Sequence, residues 1–149
     1  MSPNPEPGSF QPKILIIGRT NSVRSSLLEA SLTTTVNRYG VISAGFEPDE
    51  EVRPEVKKVA TMAGWEQPEP PAHISVSVNE NLRLIVHVSE RVRLDAPIVA
   101  APCDKVTLGL ESDLVPPGNA PPDDYNRLKQ EIENEARPRI LEEVSEKST

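Results

Sequence analysis

The sequence predicts an α/β chain, a three-layer α/β/α domain on a small four-stranded parallel sheet, and three observations carry that prediction. Ile14-Leu15-Ile16-Ile17 is an unbroken aliphatic run, the mark of a strand buried on both faces. Further apolar runs occur at Val41–Ala44, Leu82–Val88 and Ala96–Ala101, and helical patterns stand between several of them. Strands alternating with helices imply parallel pairing through right-handed crossovers.

Residues 1–12 are rich in proline and nearly free of apolar side chains, so they are expected to form a flexible leader before a single domain over 13–145. Gly18 closes the first strand, and a polar loop from Arg19 to Val23 follows. A helix is expected from Ser25, with Ser25 or Ser26 as N-cap, Leu27, Leu28, Ala30, Ser31 and Leu32 facing inward, and Glu29 on the outer side. The run Thr33-Thr34-Thr35-Val36 should fray it. Gly45 closes the second strand.

The second helix is expected over Arg53–Gly64, with Pro54 in its first turn and Gly64 as its stop. Val56, Val59, Ala60 and Met62-Ala63 should supply its buried side. Residues 66–72 and 116–122 are proline-rich and read as loops. The third strand, Leu82–Val88, precedes a polar turn at Ser89-Glu90-Arg91, and Pro97 is tolerable at the start of a fourth strand over Ala96–Ala101. A long terminal helix is expected over Asp123–Val144, kinked or interrupted by Pro138.

Composition narrows the function. The chain has 149 residues, enough for one hydrophobic core, and aromatics make up only 3%, so that core must be aliphatic. A formal charge of −7 argues against a general nucleic-acid binder. Cys103 is the single cysteine, which excludes an internal disulfide and a Cys-rich zinc site. No apolar stretch approaches the ~20 residues that span a bilayer, and the N-terminus lacks a signal-peptide pattern. The expectation is a soluble cytoplasmic domain with no cofactor, no metal and no membrane or nucleic-acid partner.

In doubly wound sheets a ligand binds beyond the carboxyl ends of the strands, which selects the loop Gly18–Ser26. Backbone N–H groups at a helix start lack intrahelical partners, and the helix dipole adds positive potential. Arg19, Thr20, Asn21, Ser22, Val23, Arg24 and Ser25 are therefore the candidate anion-binding residues, with Arg24 able to offer a bidentate fork to a tetrahedral oxyanion. The blander alternative is that such junctions bind only water.

The segment ILIIGRTNSVRSSLLEA, residues 14–30, resembles the opening of the low-molecular-weight protein tyrosine phosphatases and the related thioredoxin-coupled arsenate reductases. Their signature is a strand, then C-x5-R-S, then a helix; Asn21, Arg24, Ser25, Glu29 and Ala30 fall at matching places. Ile42-Ser43-Ala44-Gly45 is similar to the family's Ser-Ala-Gly-Thr segment, and Arg53–Trp65 to the helix that follows it. The resemblance implies a phosphotyrosine protein phosphatase I-like fold. It also implies a phosphate-type ligand: phosphate, sulfate or a phosphorylated molecule.

The departures fall on the chemistry. Gly18 stands where the resemblance places the nucleophilic cysteine, six positions before Arg24, and glycine has no side chain that can attack. The family's late-loop Asp-Pro, its general acid, is matched by Pro116-Pro117, with Asp113 a few residues upstream. No catalytic residue is therefore assigned. His87 reads as a buried structural imidazole, His73 as solvent-exposed, and Cys103, at the end of the expected fourth strand, as an inert thiol. Three readings stay open: an inactive phosphatase-like domain that binds an oxyanion, an active phosphatase or arsenate reductase-like enzyme with an unusual nucleophile, and a structural or protein-interaction module whose partner is unknown.

Overall fold

The computed structural model describes residues 12–21, 24–36, 39–52, 54–77, 81–99, 103–109 and 122–147. The sheet contains β1 (Lys13–Gly18), β2 (Gly40–Gly45), β3 (Leu82–His87) and β4 (Asp104–Thr107), all parallel, in the order β2-β1-β3-β4. Residues Ile14 to Ile17 in β1 are fully buried, as a central strand covered on both faces requires. The flanking helices are α1 (Arg24–Thr35), α2 (Pro54–Ala63), α3 (Glu90–Asp95), α4 (Pro122–Glu131) and α5 (Arg137–Lys147). They complete the three-layer α/β/α arrangement. α1 packs on β1 and β2, α2 packs on α1 and α4, and α3 lies against β3.

Several expectations need correction. The fourth strand is not Ala96–Ala101: Ala96 caps α3, Pro97 and Ile98 are exposed, and the strand begins at Asp104. Pro97 has no N–H to give a ladder, whereas Asp104–Thr107 pairs with Leu84–His87 as an edge strand, its exposed Asp104 and Lys105 being typical of such edges. Ala100 and Ala101 lie outside the described residues. Cys103 thus precedes β4.

The segment after β3 is a helix, not a simple turn. Ser89 caps it, its Oγ accepting a hydrogen bond from the Val92 N–H at 3.2 Å. Nor does α1 fray at its threonines. Thr34 and Thr35 donate their hydroxyls to the carbonyls of Ala30 and Ser31, both at 2.9 Å, and the Val36 N–H reaches the Leu32 carbonyl.

Met62 is 86% exposed rather than buried. It lies six residues beyond Val56, about 240° around the helix and away from the Val56–Val59–Ala60 stripe.

The terminal helix runs as expected, and its interruption is a wide π-turn over Ile132–Ala136, just before Pro138. The Arg137 N–H bonds the Ile132 carbonyl, five residues back. Leu128, Ile132, Ala136, Ile140 and Val144 are all buried at intervals of four. On an α-helix that spacing drifts by about 40° per step, and a wide turn winds the stripe back.

Candidate functional site

Strand order fixes where a site can form. The chain moves from β1 to β2 on one side and then crosses to β3 on the other, so the winding reverses at β1 and β3. Gly18 lies there, paired in register with Gly45, while Ile17 pairs with His87. The loop that leaves Gly18 is held from outside. The Arg19 carbonyl accepts from the Glu47 N–H at 2.8 Å, and the Thr20 carbonyl accepts from the Asp49 N–H at 2.9 Å. In a planar trans peptide the carbonyl and the next N–H point in opposite directions. Anchoring these two peptide groups on the β2–α2 segment turns the Thr20 and Asn21 N–H groups away from that segment.

Asn21 sits in the left-handed region at φ 54°, where Asn is among the few tolerated side chains. Its buried amide makes three hydrogen bonds. Nδ2 donates to Ser43 Oγ at 2.8 Å and to Ser25 Oγ at 3.1 Å, and Oδ1 accepts from the Ala72 N–H at 2.9 Å. The loop, α1, β2 and the 66–72 segment are thereby joined through one side chain. Ser26 Oγ donates back to the Asn21 carbonyl at 2.9 Å. Neither Ser25 nor Ser26 is the N-cap expected from the sequence: α1 already starts at Arg24, and both hydroxyls serve Asn21.

Glu29 is the largest departure from expectation. It is 3% exposed, not on the outer side, because α1 is buried all round from Ser25 to Leu32. Oε1 accepts from Ser43 Oγ at 2.6 Å, and Oε2 accepts from the Glu69 N–H at 3.4 Å. Burial pushes its carboxyl up to about 7, against the pull of these two donors. A signal was present in the helical spacing: Glu29 is four residues after Ser25 and three before Leu32, hence on the same side as both.

Two glycines are dictated by space. A Cβ on Gly45 would lie 2.4 Å from the Arg19 carbonyl oxygen, so the loop backbone occupies the room a side chain needs. A Cβ on Gly18 would lie 2.8 Å from Ser25 Oγ.

The other candidates are less uniform. Arg19 sends its guanidinium to the rim, 3.1 Å from Glu47 and 2.5 Å from Asp95, over the Phe46 ring at 4.8 Å. The hydrogen bond to Glu47, then that to Asp95, raise its pKa further. Arg24 opens α1 and is half-buried, as is Thr20 in the loop. Ser22 and Val23 lie outside the described residues, as do Asp113, Pro116 and Pro117 at the expected general-acid position.

His87 is buried, and its Nδ1 has no hydrogen-bond partner among the described residues. Burial, then Arg93 and Lys105, lower its pKa and keep the imidazole neutral. His73 is exposed and bonded to Ser75. Burial raises the pKa of the half-buried Cys103 thiol, which disfavours the thiolate.

No protein-family model matches the sequence, and no curated protein matches it. Solved structures do. An arsenate reductase from Archaeoglobus fulgidus superposes with a TM-score of 0.66 at 24% identity, over 80% of this chain and 92% of that one. The chain has the arsenate reductase and phosphatase fold. Vibrio vulnificus Wzb, solved in complex with benzylphosphonate, shares this phosphatase-type fold with a TM-score of 0.68 at 17% identity, over 89% of this chain and 99% of that one. A low-molecular-weight protein tyrosine phosphatase from Bacillus subtilis gives 0.59 at 15% identity, over 81% and 91%. Among the described residues, no helix is long and apolar enough to cross a membrane.

Proposed function

We propose that this chain is a catalytically inactive phosphatase-like domain, spanning 13–145, whose Gly18–Ser26 loop binds phosphate, sulfate or a phosphorylated ligand in the cytoplasm. The observation that carries this reading is the fixed direction of the loop peptides: Arg19 and Thr20 carbonyls tied outward to Glu47 and Asp49, around a left-handed Asn21. Successive N–H groups aimed into such a turn form an anion-binding concavity. The start of α1 adds the positive end of its dipole, and Arg24 adds charge at that same place.

The argument against turnover is chemical. Gly18 offers no nucleophile. The loop hydroxyls of Ser25 and Ser26 are committed to Asn21, and the two histidines bond elsewhere or sit buried and neutral. A phosphate-like ligand would be held without a group to displace its leaving oxygen.

Sulfate titration at fixed ionic strength, followed by amide NMR shifts, tests the reading. Shifts should concentrate in the Gly18–Ser26 loop, and Arg24→Ala should weaken binding at least tenfold. Unchanged affinity in Arg24→Ala would sink the binding site. Hydrolysis of an aryl phosphate that disappears with Ser25→Ala would sink the inactivity.

A further inference from the structure

A continuous hydrogen-bonded path leads from a buried carboxyl to the loop: Glu29 Oε1, Ser43 Oγ, Asn21 Nδ2, and from Asn21 the peptide that starts the left-handed turn. We propose that binding of an oxyanion to this loop is coupled to uptake of a proton by Glu29, so that the domain binds its ligand more tightly as pH falls through neutrality. The proposal rests on the loop being an oxyanion site, and it adds the regulation of that site.

The chemistry of the path sets the direction. Both described partners of Glu29 are donors, the Ser43 hydroxyl and the Glu69 N–H, an arrangement suited to the ionised carboxylate. The same carboxylate is 3% exposed and has no cationic partner hydrogen-bonded to it among the described residues. Burial places its titration close to neutrality, so both protonation states are populated under ordinary conditions. A dianion arriving at the loop brings negative charge to the far end of the hydrogen-bonded path that starts at this buried carboxylate. Each then disfavours the other, and a proton on Glu29 removes the conflict.

Among the described residues, the charge that bears on Glu29 is the like charge of Glu69, and no cation offsets it. β2 offers Ser43, and the 66–72 segment offers Glu69, whose charge also disfavours ionisation of Glu29. On α2, Lys57 and Lys58 are exposed and Glu55 is half-buried. Arg137 of α5 is spent on Ser31 and Thr35, farther along α1. His73, next to Ala72, is exposed and bonded to Ser75. None of these hydrogen-bonds the Glu29 carboxyl.

Sulfate is the probe, because it stays dianionic from pH 5.5 to 8.5 whereas phosphate titrates near 7. At constant ionic strength, its affinity for the unmodified chain should weaken about tenfold across that range, the equivalent of a one-unit rise in the Glu29 midpoint on binding. In Glu29→Gln the dependence should flatten. Should that variant fail to fold, carboxyl 13C NMR of the unmodified chain gives the same answer: the Glu29 midpoint must move up when sulfate is added. Equal pH profiles in the two proteins, or a midpoint that sulfate leaves in place, would overturn the coupling while the binding site stands. Absence of sulfate binding at every pH would overturn both.

Discussion

The hydroxyl of Ser25 lies 2.8 Å from the point where a Cβ on Gly18 would sit. Asn21 holds that hydroxyl in place at 3.1 Å, and the Ser25 Cβ is 3.1 Å from the same point. The loop has therefore closed over the missing side chain rather than leaving a notch for one. Gly18→Ala forces Ser25 to move and should destabilise the chain by about 1–3 kcal/mol, the usual cost of overpacking. Because the clash is mutual, Gly18→Ala with Ser25→Gly should cost less than the sum of the two single changes. Urea denaturation of the four proteins measures the coupling, and strict additivity would show that the two sites do not compete for space.

Gly45 is constrained more severely, since its neighbours are backbone. The Arg19 carbonyl oxygen, the Arg19 carbonyl carbon and the Asn21 nitrogen lie 2.4, 3.0 and 3.1 Å from its missing Cβ. No rotamer change can clear that space. Gly45→Ala should displace the loop, cost about 1–3 kcal/mol or more, and abolish the left-handed turn at Asn21. Amide shifts confined to residues 40–46 would contradict this, for the displacement must reach residues 19–21.

How much of this was legible in the sequence depends on what each residue advertises. β1 and β3 were readable because a central parallel strand is apolar on both faces, and Gly64 was readable as a stop because its φ of +76° suits glycine. Asn21, Arg24 and Ser25 stood out through a spacing that needs no structure. The same spacing marks Glu29 but not its burial, because a helix buried all round has no polar face to contrast with, and a charged residue was assigned outward by default. β4 was misplaced for a related reason: an exposed edge strand of four residues carries Asp104 and Lys105, while the apolar-looking Ala96–Val99 serves as a connection. α3, six residues long, is too short for a period, and its cap at Ser89 was the only cue.

Asn21 couples a backbone conformation to three hydrogen bonds, and the two contributions separate by substitution. Asn21→Gly keeps the left-handed geometry but loses the amide, leaving Ser43, Ser25 and the Ala72 N–H without their partner. Each unsatisfied buried group costs about 1–3 kcal/mol, so destabilisation of at least ~2 kcal/mol is expected. Asn21→Ala loses the same bonds and also places a Cβ residue without a local hydrogen bond at φ 54°, which adds about 1 kcal/mol. Thermal or urea unfolding should rank the proteins as unmodified, then Gly, then Ala. An alanine variant as stable as the glycine variant would contradict the left-handed turn.

Glu29 makes folding itself pH-dependent, with a sign opposite to that of a salt-bridged carboxylate. Its folded value of about 7 lies above the ordinary glutamate value of 4.5. Between those limits the folded chain binds more protons at this site than the unfolded chain, so its contribution to stability declines as pH rises. The contribution is intact below about pH 4.5 and is lost progressively up to about pH 7, at roughly 1.4 kcal/mol per pH unit at most. Glu29→Gln cannot ionise and removes this slope. Comparing the two proteins cancels the titration of every other group, so the difference in unfolding free energy should move by about 2–3 kcal/mol between pH 5 and pH 8, in favour of Glu29→Gln at the higher pH. Unfolding curves whose difference stays constant across that interval would mean that Glu29 titrates in the folded chain as it does in the unfolded one.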